Sequence, residues 1–536
     1  MMKTKQLFKS HLFFLAALFS IALTAVSCAN EDIAQNGKTG DSGKGFATFV
    51  AGEPAQTRTS IDYATGDFYW EEGDKIYVKD DDGTMQVSNT VDAAHAHSAS
   101  FKFKVPGKFG GSANYKVYYL GKNSSSNQVT IPTAQTQTTP NTTDHLGNSG
   151  DYGTATATGT LGGSVFSFQL EHQATYLVFQ PYTSNAVLKN CYLTKIEVNS
   201  DDDIAETYTI NSSTGNLNGS AGSKQIVLTT KDPVAGSTNE KGFSFTNATS
   251  ISTADKVYML IKPGAHTLKV RYWVKDYDTN VEGTITKVLP SFNYDKNTYY
   301  DMTANLNVCD YDGNHYYMWD AEKQYWYGYE WTKHLTGNTG QPTLNGNSSS
   351  NYAQSNSDVS RWYNESYPGL GVSYQATHTS CKDLPNANEM SWYAMYGDPR
   401  WDADELWTTM GHLYKGGMWF KKKAVLQIEN HYDTELSADG STDLRTRWRY
   451  YGNTSSDINS GVPSVSDAGN YFYLPALGCY DSGQLRYNLG DYGFYWSSSA
   501  DAGASNSAFL LTFNSGEVSV SSTTRDRGLC VEPSFK

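Results

Sequence analysis

Between residues 46 and 308 apolar side chains recur at every second position, in short runs separated by clusters of Gly, Asn, Asp and Ser. Ile76 and Val78 share one face of such a run, as do Phe101, Phe103 and Val105, then Tyr115, Val117 and Tyr119. Tyr176–Phe179 and Val257–Ile261 follow, and Leu268, Val270, Tyr272 and Val274 repeat the alternation. A period of two puts successive side chains on opposite faces of a strand, so these runs specify antiparallel strands. No helical pattern of comparable strength occurs here. The region is long for one sandwich. Two β-sandwiches, over 46–187 and 188–308 and divided near 185–190, suit the usual domain size better.

The chain of 536 residues is too long for a single core. Lys plus Arg number 41 against 55 for Asp plus Glu, a formal charge of −14. A nucleic-acid-binding protein needs a basic stripe to displace phosphate counterions, so that class is excluded. Charged residues are only 18% and aromatic ones 14%, with 39 Tyr and 47 Gly, which describes turn-rich exported β-structure.

Lys3, Lys5 and Lys9 precede the apolar run Leu12–Val26, which ends in Ala25-Val26-Ser27-Cys28. A basic start, a short apolar run and a small-residue exit describe a secretory signal over 1–27. The run is too short and too early for a permanent span. Its ending resembles a bacterial lipobox, which would make Cys28 the lipidated first residue of the mature chain. Ala25 departs from the preferred Leu of that motif, and ordinary signal-peptidase cleavage is the alternative. Glu31 and Asp32 resemble an acidic sorting signal for the outer surface. An acyl anchor would then tie the chain to the outer membrane, surface-exposed or within a fimbrium. Residues 28–45, rich in Gly, Ser and Asn, form a flexible tether.

Beyond Cys309 the character changes: ten of the twelve Trp residues lie there. Asn386 can cap a helix over 387–396, with Glu389 at the capping-box position and Gly397 as its stop. Leu406, Met410 and Leu413 suggest a second helix over 402–415. Strands are expected at 471–475 and 494–497, with a hairpin of 508–513 and 517–520 around Asn514-Ser515-Gly516. Helices placed before antiparallel strands make 309–536 an α+β domain. Five cysteines remain after the leader, Cys191, Cys309, Cys381, Cys479 and Cys530, an odd number that cannot all pair within the chain.

Arg58-Thr59-Ser60-Ile61, Gly66-Asp67-Phe68-Tyr69-Trp70 and Gly73-Asp74-Lys75-Ile76-Tyr77-Val78, with Phe168–His172 and Tyr176–Phe179, resemble the fimbrillin-family (Mfa-like) lipoproteins of Bacteroidetes. The resemblance covers roughly 46–308 and implies two transthyretin-like sandwiches of a pilus subunit. Such subunits assemble when a proteolytically removed N-terminal strand vacates a groove that a neighbour's strand fills. Arg58 stands where an Arg-specific processing site would fall; the alternative is an ordinary surface Arg. The segments Phe472–Ala476, Gly493–Ser498, Ala508–Phe513 and Arg527–Val531 resemble the Fibrobacter-paralogous domains, which have a C-type-lectin-like fold. Glu532 departs from them, because a basic residue usually follows the last valine. In lectin-like folds a disulfide often ties the first helix region to the last strand, which implies Cys381 with Cys530. Two buried free thiols are the alternative. The expected fold class is thus mainly β: two transthyretin-like sandwiches, then an α+β C-type-lectin-like domain.

No metalloprotease, P-loop, nucleophile-elbow or dinucleotide motif occurs, and neither a cofactor nor a metal site is expected. His95 and His97 could supply two ligands but have no third. Asp80–Asp82, Asp201–Asp203 and Asp310–Asn314 are turns before they are calcium loops. The aromatic run Trp326, Tyr327, Tyr329 and Trp331 is too dense to face wholly inward on one strand, and marks candidate ligand-binding rings. Taken with the absence of a catalytic motif, the two resemblances imply a non-enzymatic surface adhesin, a pilus tip or accessory subunit. Its expected partners are other pilus subunits and a host or microbial glycan or protein. The alternative is a non-polymerising glycan-binding lipoprotein for nutrient capture.

Overall fold

The computed structural model of the chain describes residues 3–6, 45–51, 60–61, 68–122, 124–125, 127–211, 213–220, 222–245, 255–311, 315–330, 340–342, 347–487, 489–532 and 535. It is mainly β. The first sheet runs in the order Met85–Val87, Tyr77–Lys79, Asn114–Tyr119, Gly153–Gly159, Val165–Phe168, Phe46–Ala51 and Lys102–Pro106. It curls until its two ends meet, where the Asn89 N–H donates to the Lys104 carbonyl (3.1 Å). Inside lie Phe49, Trp70, Ile76, Val78, Phe103, Val105, Val117 and Phe166, the inward set of the alternating runs. Trp70 is wholly buried, edge-on to Phe103 at 4.9 Å and Tyr119 at 5.7 Å.

The second core is clasped between two sheets. One contains Val257–Ile261, Thr175–Tyr182 and Thr298–Asn305, with Lys3–Gln6 antiparallel on the outer edge of the last. The other begins Ala134–Thr136, Gln225–Thr229, Tyr192–Ser200, Gly264–Lys275 and Glu282–Tyr294. Sheet membership crosses residue 187: Thr175–Tyr182 pairs only with 257–261 and 298–305, and Ala134–Thr136 pairs with 227–229. At the seam His172 Nδ1 and Tyr176 Oη both meet Asp151 Oδ1, at 3.0 and 2.8 Å.

The second of these sheets continues into the C-terminal part. Thr284 of Glu282–Tyr294 bridges Glu405 in parallel, and the order goes on through Arg400–Thr409, His412–Lys421 and Tyr471–Pro475. Residues 402–415 are therefore a hairpin and not the expected helix. Met410 and Gly411 take positive φ (53° and 76°) between the paired Thr409 and His412, the geometry of a two-residue mirror-image turn. The helical spacing of Leu406, Met410 and Leu413 arises because residues 405–410 are buried on both faces.

The Ala387–Tyr396 helix does form, with both halves of the capping box in place: Glu389 N–H on Asn386 Oδ1 (3.0 Å), and Asn386 N–H on Glu389 Oε2 (2.8 Å). It packs on a sheet ordered Tyr316–Tyr317, Leu529–Cys530, Gly493–Ala500, Ser507–Asn514, Glu517–Thr524 and Tyr451–Thr454. A short Lys423–Ile428 helix lies nearby in the chain.

Candidate functional site

Phe46–Ala51 is the strand that precedes Arg58, and it sits inside the first sheet, not at its rim. It runs parallel to Val165–Phe168 and antiparallel to Lys102–Pro106, so both of its edges are paired. Thr48 N–H donates to the Ser164 carbonyl at 2.8 Å and Ala51 N–H to the Phe101 carbonyl at 3.1 Å. Its sequence alternates as the slot requires. Ala47, Phe49 and Ala51 point inward, while Phe46 remains 67% exposed. Phe49 is the anchor: its ring stacks on Phe166 (5.2 Å) and meets Phe109 (5.3 Å) and Tyr115 (6.3 Å) edge-on. The chain resumes at Ser60–Ile61, hairpinned to Phe68–Tyr69. Arg58 itself, like Cys28 and Trp331, lies outside the described residues.

A second groove borders Thr298–Asn305, a cavity of about 300 Å³ lined by Tyr272, Val288, Leu289, Met302 and Ala304. The strand laid along that edge, Lys3–Gln6, belongs to the expected leader.

The aromatic run divides. Trp326 is fully buried, edge-on to Tyr480 at 5.1 Å, and offers no face to a ligand. Tyr327 and Tyr329 are 51% and 42% exposed, but each already carries a cation: Lys323 Nζ lies 5.4 Å from the first ring and the Arg361 guanidinium 5.4 Å from the second. The expected Cys381–Cys530 bond is not formed. Both are free, buried thiols that belong to separate apolar clusters, and Cys381 Sγ instead accepts the Asp320 N–H (3.3 Å). Burial pushes the Cys381 thiol up to about 12, so it is an inert core group.

His95 and His97 point to different partners, Asp92 at 2.6 Å and Glu71 at 3.0 Å, and His97 also stacks on Tyr69 at 4.0 Å. The Asp80 and Asp81 carboxylates are taken by protein donors, Thr84 N–H and Gln86 Nε2 on the first, Gly111 N–H and Tyr115 Oη on the second. Among the described residues no group of three or more His, Cys, Asp or Glu could hold a metal ion.

The junction between the second core and the C-terminal part holds charges that periodicity does not reveal. Arg271 Nη2 meets Asp402 Oδ1 at 3.3 Å, and Glu405 accepts Thr286 N–H (2.9 Å), Thr286 Oγ1 (2.6 Å) and Thr284 Oγ1 (3.1 Å). Lys269 Nζ crosses to the Pro463 carbonyl at 2.9 Å. Burial, then repulsion by Asp402, pushes the Glu405 carboxyl up to about 7 against the bonds from Thr286. Burial, then Arg271, lowers Lys269 to about 8. The signal that could have found them is a charge set directly against bulky apolar residues within a strand, as in Val270-Arg271-Tyr272 and Glu405-Leu406-Trp407.

No protein-family model matches the chain, and no curated protein matches it. Solved structures do. A Bacteroides ovatus protein provisionally named for cell adhesion aligns at 13% identity over 49% of this chain and 93% of its own, with a TM-score of 0.29. A Bacteroides uniformis protein of the same provisional name aligns at 14% over 47% and 99%, with a TM-score of 0.27. The fimbrial anchor protein Mfa2 from Porphyromonas gingivalis aligns at 12% over 45% and 82%, with a TM-score of 0.21.

Proposed function

We propose that the chain is a fimbrillin-like surface adhesin, a pilus tip or accessory subunit that accepts a neighbour's strand and displays its C-terminal domain to a ligand. The observation that carries this reading is the position of Phe46–Ala51. Cleavage between Arg58 and Thr59 would separate an element held by two ladders and one buried ring, leaving a slot bounded by Val165–Phe168 and Lys102–Pro106. A slot with two bare edges and a Phe-sized pocket is what a donated strand of alternating pattern fills, through main-chain pairing and a few side-chain anchors. The C-terminal segment supports the receiving role. Leu529–Cys530 lies between two strands, and Phe535 is buried beside Tyr393 (5.6 Å), so this segment is not free to be donated. An acyl group on Cys28 would hold the precursor at the outer membrane before processing.

N-terminal sequencing of the surface-exposed form tests the reading. A start at Thr59 in the polymer is expected. A start at Cys28 alone, on a protein never found in fibres, would leave a permanently anchored binder and end the assembly role.

A further inference from the structure

The two sheets that clasp the second core end in strands whose outer edges are treated differently. Along Val257–Ile261 the edge is closed by side-chain amides. Gln135 donates to the Leu260 carbonyl (2.7 Å) and accepts Leu260 N–H (3.0 Å). Gln137 accepts Tyr258 N–H (2.8 Å) and donates to the Lys256 carbonyl (3.1 Å). Two glutamines thus stand where a further strand would pair. Glu282–Tyr294, on the facing sheet, is interrupted instead. Its ladder with Gly264–Lys275 shifts register where Pro290 falls, and a proline offers no N–H to a new neighbour.

Thr298–Asn305 has neither device. Its inner edge is paired throughout with Thr175–Tyr182. Its outer edge carries Lys3–Gln6 in antiparallel register, from Gln6 opposite Thr298 to Lys3 opposite Asp301. Past Asp301 no strand pairs with that outer edge among the described residues. The cavity of about 300 Å³ lies beside this same stretch and is lined by Met302 and Ala304 from one sheet and by Tyr272, Val288 and Leu289 from the other. Met302 and Ala304 are buried, whereas Val288 and Phe292 on the facing strand are 37% and 38% exposed. A row of main-chain groups without a partner strand, next to an apolar hole, is completed by adding a strand.

We propose that Thr298–Asn305 is a second strand-accepting edge, which takes an extended segment of a partner chain once the leader is removed and needs no cut at Arg58. Lys3–Gln6 shows the register of the occupant: antiparallel, with a lysine opposite Asp301. Carried on past that lysine, the same register sets residues opposite Met302 and Ala304, and directly paired residues project to the same face. The segment that fits is therefore extended, with apolar residues at alternate positions ahead of a lysine, so that two side chains enter the cavity. The inference rests on export with loss of the leader. It deepens the assembly reading by adding a contact that does not depend on the Phe46–Ala51 slot.

The test uses the mature full-length chain starting at Cys28, carried as Cys28→Ser to keep it free of lipid, with Arg58 uncut. The probe is a labelled peptide, Leu-Thr-Leu-Lys-Thr-Lys-Gln, read by fluorescence anisotropy and by hydrogen exchange. Saturable binding is expected, with new amide protection along Thr298–Asn305 and none gained along Phe46–Ala51. Replacing both peptide leucines by serine should weaken binding about tenfold or more, as should Val288→Lys at the exposed rim of the cavity. N-methylation of one alternate set of peptide amides should abolish binding, and methylation of the other set should not, because only one set faces the edge. No binding, equal binding of both methylated peptides, or protection gained along Val257–Ile261 instead would overturn the proposal. A chain starting at Thr59 should bind the probe equally well, so failure of the Phe46–Ala51 slot and failure of this edge give different results.

Discussion

The slot occupied by Phe46–Ala51 can be emptied and refilled in vitro. A chain starting at Thr59 lacks the strand, and its loss removes both ladders, buried Ala47 and Ala51, and the Phe49 ring with its three aromatic neighbours. Deleting a buried Phe side chain alone costs about 3–5 kcal/mol. A domain of this size has only about 5–15 kcal/mol to lose. The first unit of the shortened chain should therefore be marginal, with amide protection collapsing in Val165–Phe168 and Lys102–Pro106, read by hydrogen exchange and mass spectrometry. A synthetic peptide spanning Gly45–Ala51 should restore that protection in proportion to its concentration. The same peptide with Phe49→Ala should fail, and one with Phe46→Ala should succeed, because Phe46 faces solvent. Equal protection in the full and shortened chains, or indifference to Phe49, would refute the idea of a vacated slot.

Glu405 supplies a pH signature. Its carboxyl is raised from 4.5 to about 7, so between these values the folded state holds the proton that the unfolded chain has released. The stabilisation is complete below about 4.5 and disappears as pH climbs through 7, a loss of about 3 kcal/mol. Glu405→Gln, which keeps an acceptor for Thr286, should flatten the urea-melt profile between pH 5 and 8, and parallel profiles would count against the buried cluster. The charged groups that set the value are Asp402, which raises it, and Arg271, which lowers it, and Lys287 and Tyr473 interact electrostatically with the same carboxyl. Arg525→Ala leaves the Ser507, Asn364 and Ser366 carbonyls without their donor and uncovers Trp319; denaturant melts should show a loss of about 3–5 kcal/mol. Asn386→Ala removes the helix cap and should cost about 1–2 kcal/mol by the same measurement.

What was legible in the sequence is what depends on neighbours along the chain. Alternation marked the strands at 101–105, 115–119 and 268–274, and the grammar Asn386…Glu389…Gly397 marked a helix whose cap is formed as expected. The hairpin at 400–421 was lost because burial on both faces erases alternation, leaving three apolar residues at helical spacing by coincidence. Trp326 was offered as a ligand platform for its chemistry, but whether a ring is presented or packed is decided by distant Tyr480.

In the proposed role the chain would carry force between its two ends, and the junction at Glu405 bears on how it would do so. Two domains on a flexible linker would let the displayed part swing, and load would fall on the linker alone. Here the sheet of the second core runs on into the C-terminal part through Thr284 and Glu405. Separating the parts would strand Arg271, Asp402 and Lys269, which are buried at or near that seam. Each pairing is modest, but removing a partner from a buried charge is costly, so partial opening is opposed more strongly than the single β-bridge suggests. Protonating Glu405 relieves the repulsion by Asp402 and tightens the same seam. Mildly acidic conditions should therefore stiffen the link between the second core and the C-terminal part.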